Sequence, residues 1–470
     1  MCGICGIIDQ GEKLNPAIRD SWVQEMNDAI LHRGPDEEGK RFTAKAALAM
    51  RRLSIIDLTS GQQPIFNEDR TVSVFFNGEI YNFPEIRKSL EENGHQFYTN
   101  SDTEVIVHLY EDYGFRGMLE RIKGMFTLVL HDEKKDAFYL ARDRFGEKPL
   151  FYHEKDGQLF FSSEIASLLK AEAIPRVLDR DSLAYYLRLT MIPEPLTLLK
   201  GVYSLKPGHF LHLENNAWTQ EPWFEPDYQI NESIKTEEEA IEYVSPILEQ
   251  AIKRQMISDV PLGAFLSGGI DSSTIVAWMQ ANSSKPVKTF TVRFEEAAYD
   301  ESPIARDVAN YLGTDHTEIT IPNQGFSEDI FWKVIDHAGL PFPDSSAIPT
   351  FLITKEIRSH VKVALSGDGG DELFGGYPIF QWWPKISRLQ KVPAILRSGM
   401  LAGVKIARKL PGTQGVSKLR QIGRALEAAE YKPEELGMAI QEMFSFSELK
   451  KLSSNGFQMP VPNRLTEFPD

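Results

Sequence analysis

The stretch that most constrains this chain is Ser267-Gly268-Gly269-Ile270-Asp271-Ser272-Ser273. The apolar run Val260-Pro261-Leu262-Gly263-Ala264-Phe265-Leu266 precedes it and reads as a buried strand. Thr274-Ile275-Val276-Ala277-Trp278-Met279 follows and reads as the start of a helix. A strand, a Gly-Gly turn and a helix N-terminus bring free backbone N–H groups and the positive end of the helix dipole to one point, which makes an anion site. Paired glycines let the backbone approach that anion with no Cβ in the way. The serine hydroxyls add donors, and Asp271 fits such a site when a divalent cation bridges it to phosphate. The spacing is not that of a Walker loop, because no Gly-Lys-Ser/Thr follows. A bare Ser-Gly-Gly would read as a ligand-free turn; the seven-residue string in its strand-to-helix setting outweighs that reading.

The surrounding pattern predicts the sheet that carries this loop. Thr236 and Glu239 form a capping box ahead of Ile241, Val244, Leu248 and Ile252 at helical spacing. Strands over 287–294, 316–321 and 361–365 then alternate with helices, starting with one over 302–312. Such alternation means an α/β doubly wound parallel sheet with ligands at the carboxyl ends of its strands. The last strand runs into Ser366-Gly367-Asp368-Gly369-Gly370-Asp371-Glu372. In isolation this is a flexible acidic loop. At a strand end facing the Ser267 loop it reads as a magnesium and acceptor-activation site. Asp344-Ser345-Ser346 borders the acceptor pocket or caps a helix.

The first half has a different grammar. It opens Met1-Cys2-Gly3-Ile4-Cys5, and removal of Met1 would leave Cys2 with an α-amine that titrates near ~8 and can serve as base for its own thiol. A redox or metal Cys-x-x-Cys pair and two buried apolar cysteines are the competing readings. His32-Arg33-Gly34-Pro35-Asp36, Arg51-Arg52-Leu53-Ser54-Ile55, a strand from Thr71 to Phe76 that ends in Asn77-Gly78-Glu79, Ser101-Asp102-Thr103-Glu104 and Asp143-Arg144-Phe145-Gly146-Glu147-Lys148 follow in order. Successive hairpins, one around residues 133–136 and one around Asp156-Gly157, predict antiparallel sheet. The pattern loosens between Lys206 and Lys235, and the domain boundary is expected there, giving domains at 2–210 and 236–470.

These motifs give the first half a resemblance to the glutaminase domain of class II, N-terminal-nucleophile glutamine amidotransferases. With the Ser267 loop, which resembles the pyrophosphate loop of enzymes that split ATP into AMP and diphosphate, most of residues 1–377 resembles the glutamine-hydrolysing asparagine synthetases. The resemblance implies an α+β αββα sandwich followed by the doubly wound domain. It implies Cys2 as nucleophile and Asn77 with Gly78 as donors to the oxyanion that develops on an attacked carboxamide. Glutamine would be held by Arg52 at its α-carboxylate and Asp102 at its α-ammonium, with Ile55 and Glu79 adding contacts. It further implies ATP and Mg2+ as cofactors. Leu266, Ser267, Gly268, Gly269, Asp271, Ser272, Ser273, Val292, Ser366 and Gly367 would lie at ATP, Asp271 and Asp371 at the metal, and Asp368 at the acceptor. Asp368 stands where well-known family members have Glu, a shorter reach that keeps the acid. The expected reaction turns aspartate, glutamine and ATP into asparagine, glutamate, AMP and diphosphate. A sister enzyme acting on another carboxylate such as a sugar acid, and a glutaminase or nucleotide-binding protein without synthesis, are the alternatives.

The 470 residues carry a net charge of −16, which argues against non-specific binding to nucleic acid or an anionic membrane. No apolar run approaches the roughly 20 residues that span a bilayer. Two cysteines in all offer no disulfide framework, so a reducing cytoplasm is expected. Small-molecule substrates are the expected partners, with a homodimer left open. Beyond Trp382 the chain reads as helical and lacks the Asp-Arg and Glu-x-Arg-x-Pro pattern with which the family closes the acceptor site, so a fragment is expected.

Overall fold

The computed structural model describes all residues except 215–216, 295–299, 322–326, 342–343, 345, 409–416, 432–442, 445–448 and 450–470. Ser345, Asn215-Asn216 and the end of the 236–470 region therefore lie outside the described residues. Two compact units are distinguished: residues 1–177, 194–340 and 344–367 form the first, and residues 178–193, 341–343 and 368–470 the second.

Near-continuous apolar strands, buried on both faces, build two six-stranded antiparallel sheets in the first unit. One runs, edge to edge, through Tyr203–Ser204, Phe151–Lys155, Gln158–Ser162, Gly3–Asp9, Ala46–Arg52 and Glu37–Phe42. The other runs through Ala217–Pro222, His209–Glu214, Ala137–Arg142, Gly124–Asp132, Val72–Ile80 and Ile65–Phe66. Ile4, Ile8, Leu48 and Met50 meet Phe75, Val129 and Leu140 between the sheets. Helix Pro16–Ala29 closes the outer face of the first sheet through Val23 and Met26, against Cys5 and Ile7. Helix Glu104–Arg121 closes the second through Val105, Ile106 and Leu109, against Phe76 and Leu128. This is the expected αββα sandwich.

The turn at Asp156-Gly157 is as read, with φ of 57° and 81°, the left-handed pair a two-residue hairpin requires. The strand expected to stop at Asn77-Gly78 instead continues to Ile80, paired throughout with Gly124–Asp132. The loose stretch after Lys206 also holds structure. His209–Glu214 and Ala217–Pro222 form a hairpin that extends the second sheet, with Phe210 opposite Ala141. Just beyond it, buried Trp223 donates from Nε1 to Arg142 O at 3.0 Å. An edge hairpin draws its register from its neighbour rather than its own pattern, which is why it was not legible.

Helix Glu237–Gln255 starts on the predicted capping box: Thr236 accepts from Glu239 N, and Glu239 accepts from Thr236 N. The third sheet is parallel, in the order Asp315–Ile321, Lys288–Phe294, Leu262–Phe265, Val363–Leu365. Val276 and Met279 of helix Ile270–Ala281, with Ala305 and Ala309 of helix Ser302–Leu312, pack on one face. Ile353 and Ile357 of helix Ala347–Ile357 pack on the other with Phe290. The sheet is doubly wound, as expected. Chain order reverses between Leu262–Phe265 and Val363–Leu365, so the ligand crevice of such a sheet belongs at the carboxyl ends of these two strands.

The second unit is helical, with Arg180–Leu189, Pro378–Gln390, Ala394–Ala407 and Ser417–Ala428 its longer helices. Among the described residues no helix is long and apolar enough to cross a membrane.

Candidate active sites

Cys2 and Cys5 are three apart at the head of a strand, so they face opposite sides of the sheet. Cys5 is buried under the helix layer, whereas Cys2 packs at the edge of the inter-sheet core; both are free thiols. They are therefore not a Cys-x-x-Cys pair. Cys2 Sγ donates to Leu53 O at 3.7 Å and accepts from Leu53 N at 3.3 Å. Arg33 Nε donates to Cys2 O at 2.8 Å, and Arg33 Nη1 and His32 Nε2 both reach Glu164 Oε1 at 2.9 Å. The His32-Arg33-Gly34 motif thus positions residue 2. Gly34 must be glycine, since a Cβ there would fall 2.3 Å from the Arg51 carbonyl carbon. Burial pushes the Cys2 thiol up, against the opposing Leu53 N–H, so it rests protonated and needs a base. Burial also lowers the α-ammonium of Met1 to about 6. With Met1 in place the nitrogen of Cys2 is an amide, and only its removal turns that atom into an amine.

Cys2, Arg52, Ile55, Gly78, Glu79 and Asp102 line one pocket. Its cavity of about 20 Å3 holds a water rather than an amino acid, so entry of a larger ligand requires side chains to move. Arg52 is buried and spoken for at both ends: Nη1 pairs with Glu37 at 2.8 Å, and Nη2 donates to Ile56 O at 2.9 Å and Asp57 O at 2.7 Å. The loop that supplies those carbonyls is held by Asp57. Burial opposes ionisation of Asp57, but hydrogen bonds from Ser60, Asn100 and Thr59 outweigh it and hold the carboxyl down to about 2. Asp57 N donates to Asp259 Oδ2 at 2.8 Å and Asp259 N to Ile55 O at 3.1 Å, so this loop is tied to the segment that enters strand Leu262–Phe265.

Asp102 is buried at the foot of helix Glu104–Arg121 and accepts from Ile80 N at 2.8 Å. Burial raises both Glu79 and Asp102, and repulsion from Asp102 raises Glu79 further. A carboxylate pair of this kind favours a cation between or beside it. Gly78 is obligatory in its strand, because a Cβ would lie 2.1 Å from Met125 O. Asn77 is not among the residues that line the pocket. Its Nδ2 lies 3.4 Å from Thr127 Oγ1, and its Oδ1 is buried without a partner. Rotating that amide by half a turn gives Thr127 an acceptor and leaves Nδ2 as the unspent donor. Leu53 and Arg33, which contact Cys2, carried no assigned role in the sequence. Leu53 acts through its backbone N and O, and the Arg33 side chain acts on the backbone carbonyl of Cys2, so in each contact one partner is a main-chain group that no side-chain pattern encodes.

The second site lies at the switch point. Gly268 has φ of 81°, and a Cβ there would meet Ile304 and the Ala305 nitrogen at 2.9–3.0 Å. Ser267 N donates to Ser272 Oγ at 3.2 Å, the two hydroxyls lie 3.0 Å apart, and Gly269 N donates to Ser267 Oγ at 3.3 Å. These bonds hold the turn open beneath the first N–H groups of the helix, while Ser273 Oγ is buried and unpartnered. A Cβ on Gly367 would fall 2.8 Å from Ser272 N and 3.0 Å from Asp271 Cβ, so the end of strand Val363–Leu365 presses on the loop. Leu266 is buried and donates to Phe290 O at 2.8 Å. Phe265 is in register with Phe290, which sets Val292 about level with Ser267. The structure thus brings Ser267–Ser273 and Gly367 together. Asp271 belongs to the first unit, and Asp368 and Asp371 to the second. There Asp371 sits in the first turn of Gly370–Phe374, under Gly376.

A glutamine amidotransferase domain model matches residues 1–224, and an asparagine synthase model matches residues 244–452. Over 424 residues the chain is 35% identical to glutamine-hydrolysing asparagine synthetase 1 of Bacillus subtilis, covering 90% of this chain and 66% of that one. It is 34% identical over 464 residues to a putative glutamine-hydrolysing asparagine synthetase 2 of Methanocaldococcus jannaschii, covering 93% and 86%. With glutamine-hydrolysing asparagine synthetase 2 of Bacillus subtilis it shares 34% over 401 residues, covering 80% and 52%. The chain therefore spans just under two thirds of one Bacillus relative and about half of the other. Two domain models in this order, and a relative matched over most of both chains, make this chain a member of the glutamine-hydrolysing asparagine synthetase family.

Proposed function

We propose that the chain transfers glutamine nitrogen to the β-carboxylate of L-aspartate at the expense of ATP, yielding L-asparagine, L-glutamate, AMP and diphosphate. The observation that carries this reading is the pocket in which a thiol, a guanidinium and a buried carboxylate pair meet. A free amino acid presents a carboxylate and an ammonium, and these are the charges that Arg52 and the Glu79–Asp102 pair complement. Ile55 borders the same ligand. Cys2 attacks the carboxamide carbon after its own α-amine, freed by removal of Met1, takes the thiol proton. Gly78 N–H and the Asn77 amide receive the oxyanion. Ammonia leaves, and water hydrolyses the thioester to glutamate.

For the second half, the Gly268 turn, the unpartnered Ser273 hydroxyl and the close seat of Gly367 fit a phosphate chain. Leu266, Ser267, Gly268, Gly269, Asp271, Ser272, Ser273, Val292, Ser366 and Gly367 are assigned to ATP. Asp271 and Asp371 would hold Mg2+, which when bound neutralises phosphate charge, and Asp368 would act at the acceptor. Water protonates escaping ammonia and removes its nucleophilicity, the physical reason to join both activities in one chain. Domain limits of 2–210 and 236–470, a cytoplasmic site, where the nucleophilic thiol stays reduced, and small-molecule partners without nucleic acid or membrane complete the reading; a homodimer is compatible with it.

The test is mass spectrometry of products after incubation with glutamine, aspartate and Mg-ATP. Asparagine and AMP formed together are the expected result, and in Cys2→Ala they should form from ammonia but not from glutamine. Glutamine hydrolysis that persists in Cys2→Ala would overturn the nucleophile assignment.

A further inference from the structure

We propose that Glu68, His95, His108 and Glu111 form a binding site for one divalent transition ion of the zinc type, outside both candidate active sites. The residues come from three segments. Glu68 follows strand Ile65–Phe66, His95 follows helix Phe83–Glu92, and His108 and Glu111 stand one turn apart on helix Glu104–Arg121. One ligand atom from each lies within 4.8 Å of all the others. His95 Nδ1 is 3.2 Å from Glu68 Oε1 and 3.9 Å from Glu111 Oε2, while His108 Nδ1 is 3.3 Å from Glu68 Oε2 and 3.5 Å from Glu111 Oε2. A tetrahedron with metal bonds of ~2.0–2.2 Å has edges of about 3.3–3.6 Å. The observed separations straddle those edges.

His108 is the independent observation. It is 1% exposed, and neither ring nitrogen has a hydrogen-bond partner. Its Nδ1 stands 3.3 Å from Glu68 Oε2 and 3.5 Å from Glu111 Oε2, so the buried ring faces two carboxylate oxygens that a shared dication would bridge.

The outer contacts follow the same logic. Nε2 of His95 lies 3.1 Å from Asp112 Oδ1, so that imidazole backs onto a carboxylate as metal-binding histidines do, while Nε2 of His108 stands 3.6 Å from Glu104 Oε1, beyond hydrogen-bond length. Asn67 Nδ2 fixes the other Glu111 oxygen at 2.8 Å, and Gln96 N donates to Glu68 at 3.2 Å. Four carboxylates around two imidazoles leave a negative excess that suits a dication. Two nitrogens in a four-ligand set favour zinc over calcium or magnesium, which take six or more oxygens including water. The ion would tie the turn at Glu68 and the loop at His95 to the helix that begins just after Asp102. The competing arrangement is a pair of imidazolium ions bridged to the same carboxylates with no metal.

The full-length chain, stripped with a chelator, is titrated with zinc sulfate by calorimetry and, in parallel, with cobalt(II) read by visible absorption. One ion per chain, tetrahedral-intensity cobalt bands and a zinc-dependent rise in melting temperature are expected. Glu68→Gln and His95→Gln, neither of which alters a fully buried residue, should each weaken zinc by about 10–100-fold or more while melting like the stripped parent. Cys2→Ala should keep the site. The proposal is overturned by a parent that binds no zinc, by binding indifferent to both substitutions, or by a site that disappears with the Cys2 thiol.

Discussion

Gly367→Ala isolates the close seat of strand Val363–Leu365 on the Ser267 loop. The added methyl has its ideal position 2.8 Å from Ser272 N, 3.0 Å from Asp271 Cβ and 3.2 Å from Asp271 C. None of these atoms is the end of a flexible side chain; all belong to the first turn of helix Ile270–Ala281. Either the strand end or the helix start must therefore move. Overpacking of this kind costs about 1–3 kcal/mol, and if the displacement falls on the phosphate seat it weakens ATP by about 5- to 150-fold. Calorimetric ATP binding measures this directly and does not depend on turnover. Glutamine hydrolysis, measured beside it, should stay within about twofold, because the atoms nearest the added methyl all belong to helix Ile270–Ala281 and Gly367 is not among the residues lining the Cys2 pocket. Unchanged ATP affinity with an unchanged melting temperature would refute the close contact. An equal loss of both activities would refute its confinement to the second site.

The Glu79–Asp102 pair gives a pH signature. The folded pair keeps its protons to higher pH than the unfolded chain, so its stabilising contribution is complete below the ordinary carboxylate pKa near ~4 and is lost as pH rises through the raised values. Asp102→Asn should thus gain melting temperature on the parent between pH 5 and pH 8 while losing glutamine affinity; a gap independent of pH would count against the pair. Asp259→Ala orphans the buried Asp57 N–H, which costs about 1–3 kcal/mol, so the glutamine KM should rise by about fivefold or more with kcat little changed. A KM equal to that of the parent would mean the loop holds its shape without Asp259. Gly78→Ala places a Cβ 2.1 Å from Met125 O inside a paired strand, and should lower the melting temperature of the first unit as well as abolish glutamine hydrolysis. Retention of both would argue against the close pairing.

What the sequence disclosed was local in origin. The capping box at Thr236 and Glu239, the left-handed turn at Asp156-Gly157 and the strand–Gly-Gly–helix unit at Ser267 are each specified within a few residues. The alternation of strands and helices then determines which way the parallel sheet must wind, because so few topologies satisfy it. The Cys2 pocket was legible one step further out, since Cys2, Arg52, Ile55, Gly78, Glu79 and Asp102, singled out from separate motifs, line one cavity. What stayed hidden depends on pairing across distance. Asp259 meets Asp57 and Ile55 through main-chain groups whose donors and acceptors look the same at every residue. The hairpin at His209–Glu214 and Ala217–Pro222 takes its register from Ala137–Arg142 and carries no pattern strong enough to announce itself. Glu68, His95, His108 and Glu111 have no motif spacing, because three separate segments bring them together and only the packing of helix Glu104–Arg121 against the second sheet makes them neighbours. The same packing stands Asp102 at the foot of that helix, six residues before His108 begins to gather the others. A perturbation at the outer cluster therefore has a short mechanical path to the Cys2 pocket, through the loop between His95 and Asp102. Zinc-dependent changes in the glutamine KM, absent in His95→Gln, are what that path would transmit.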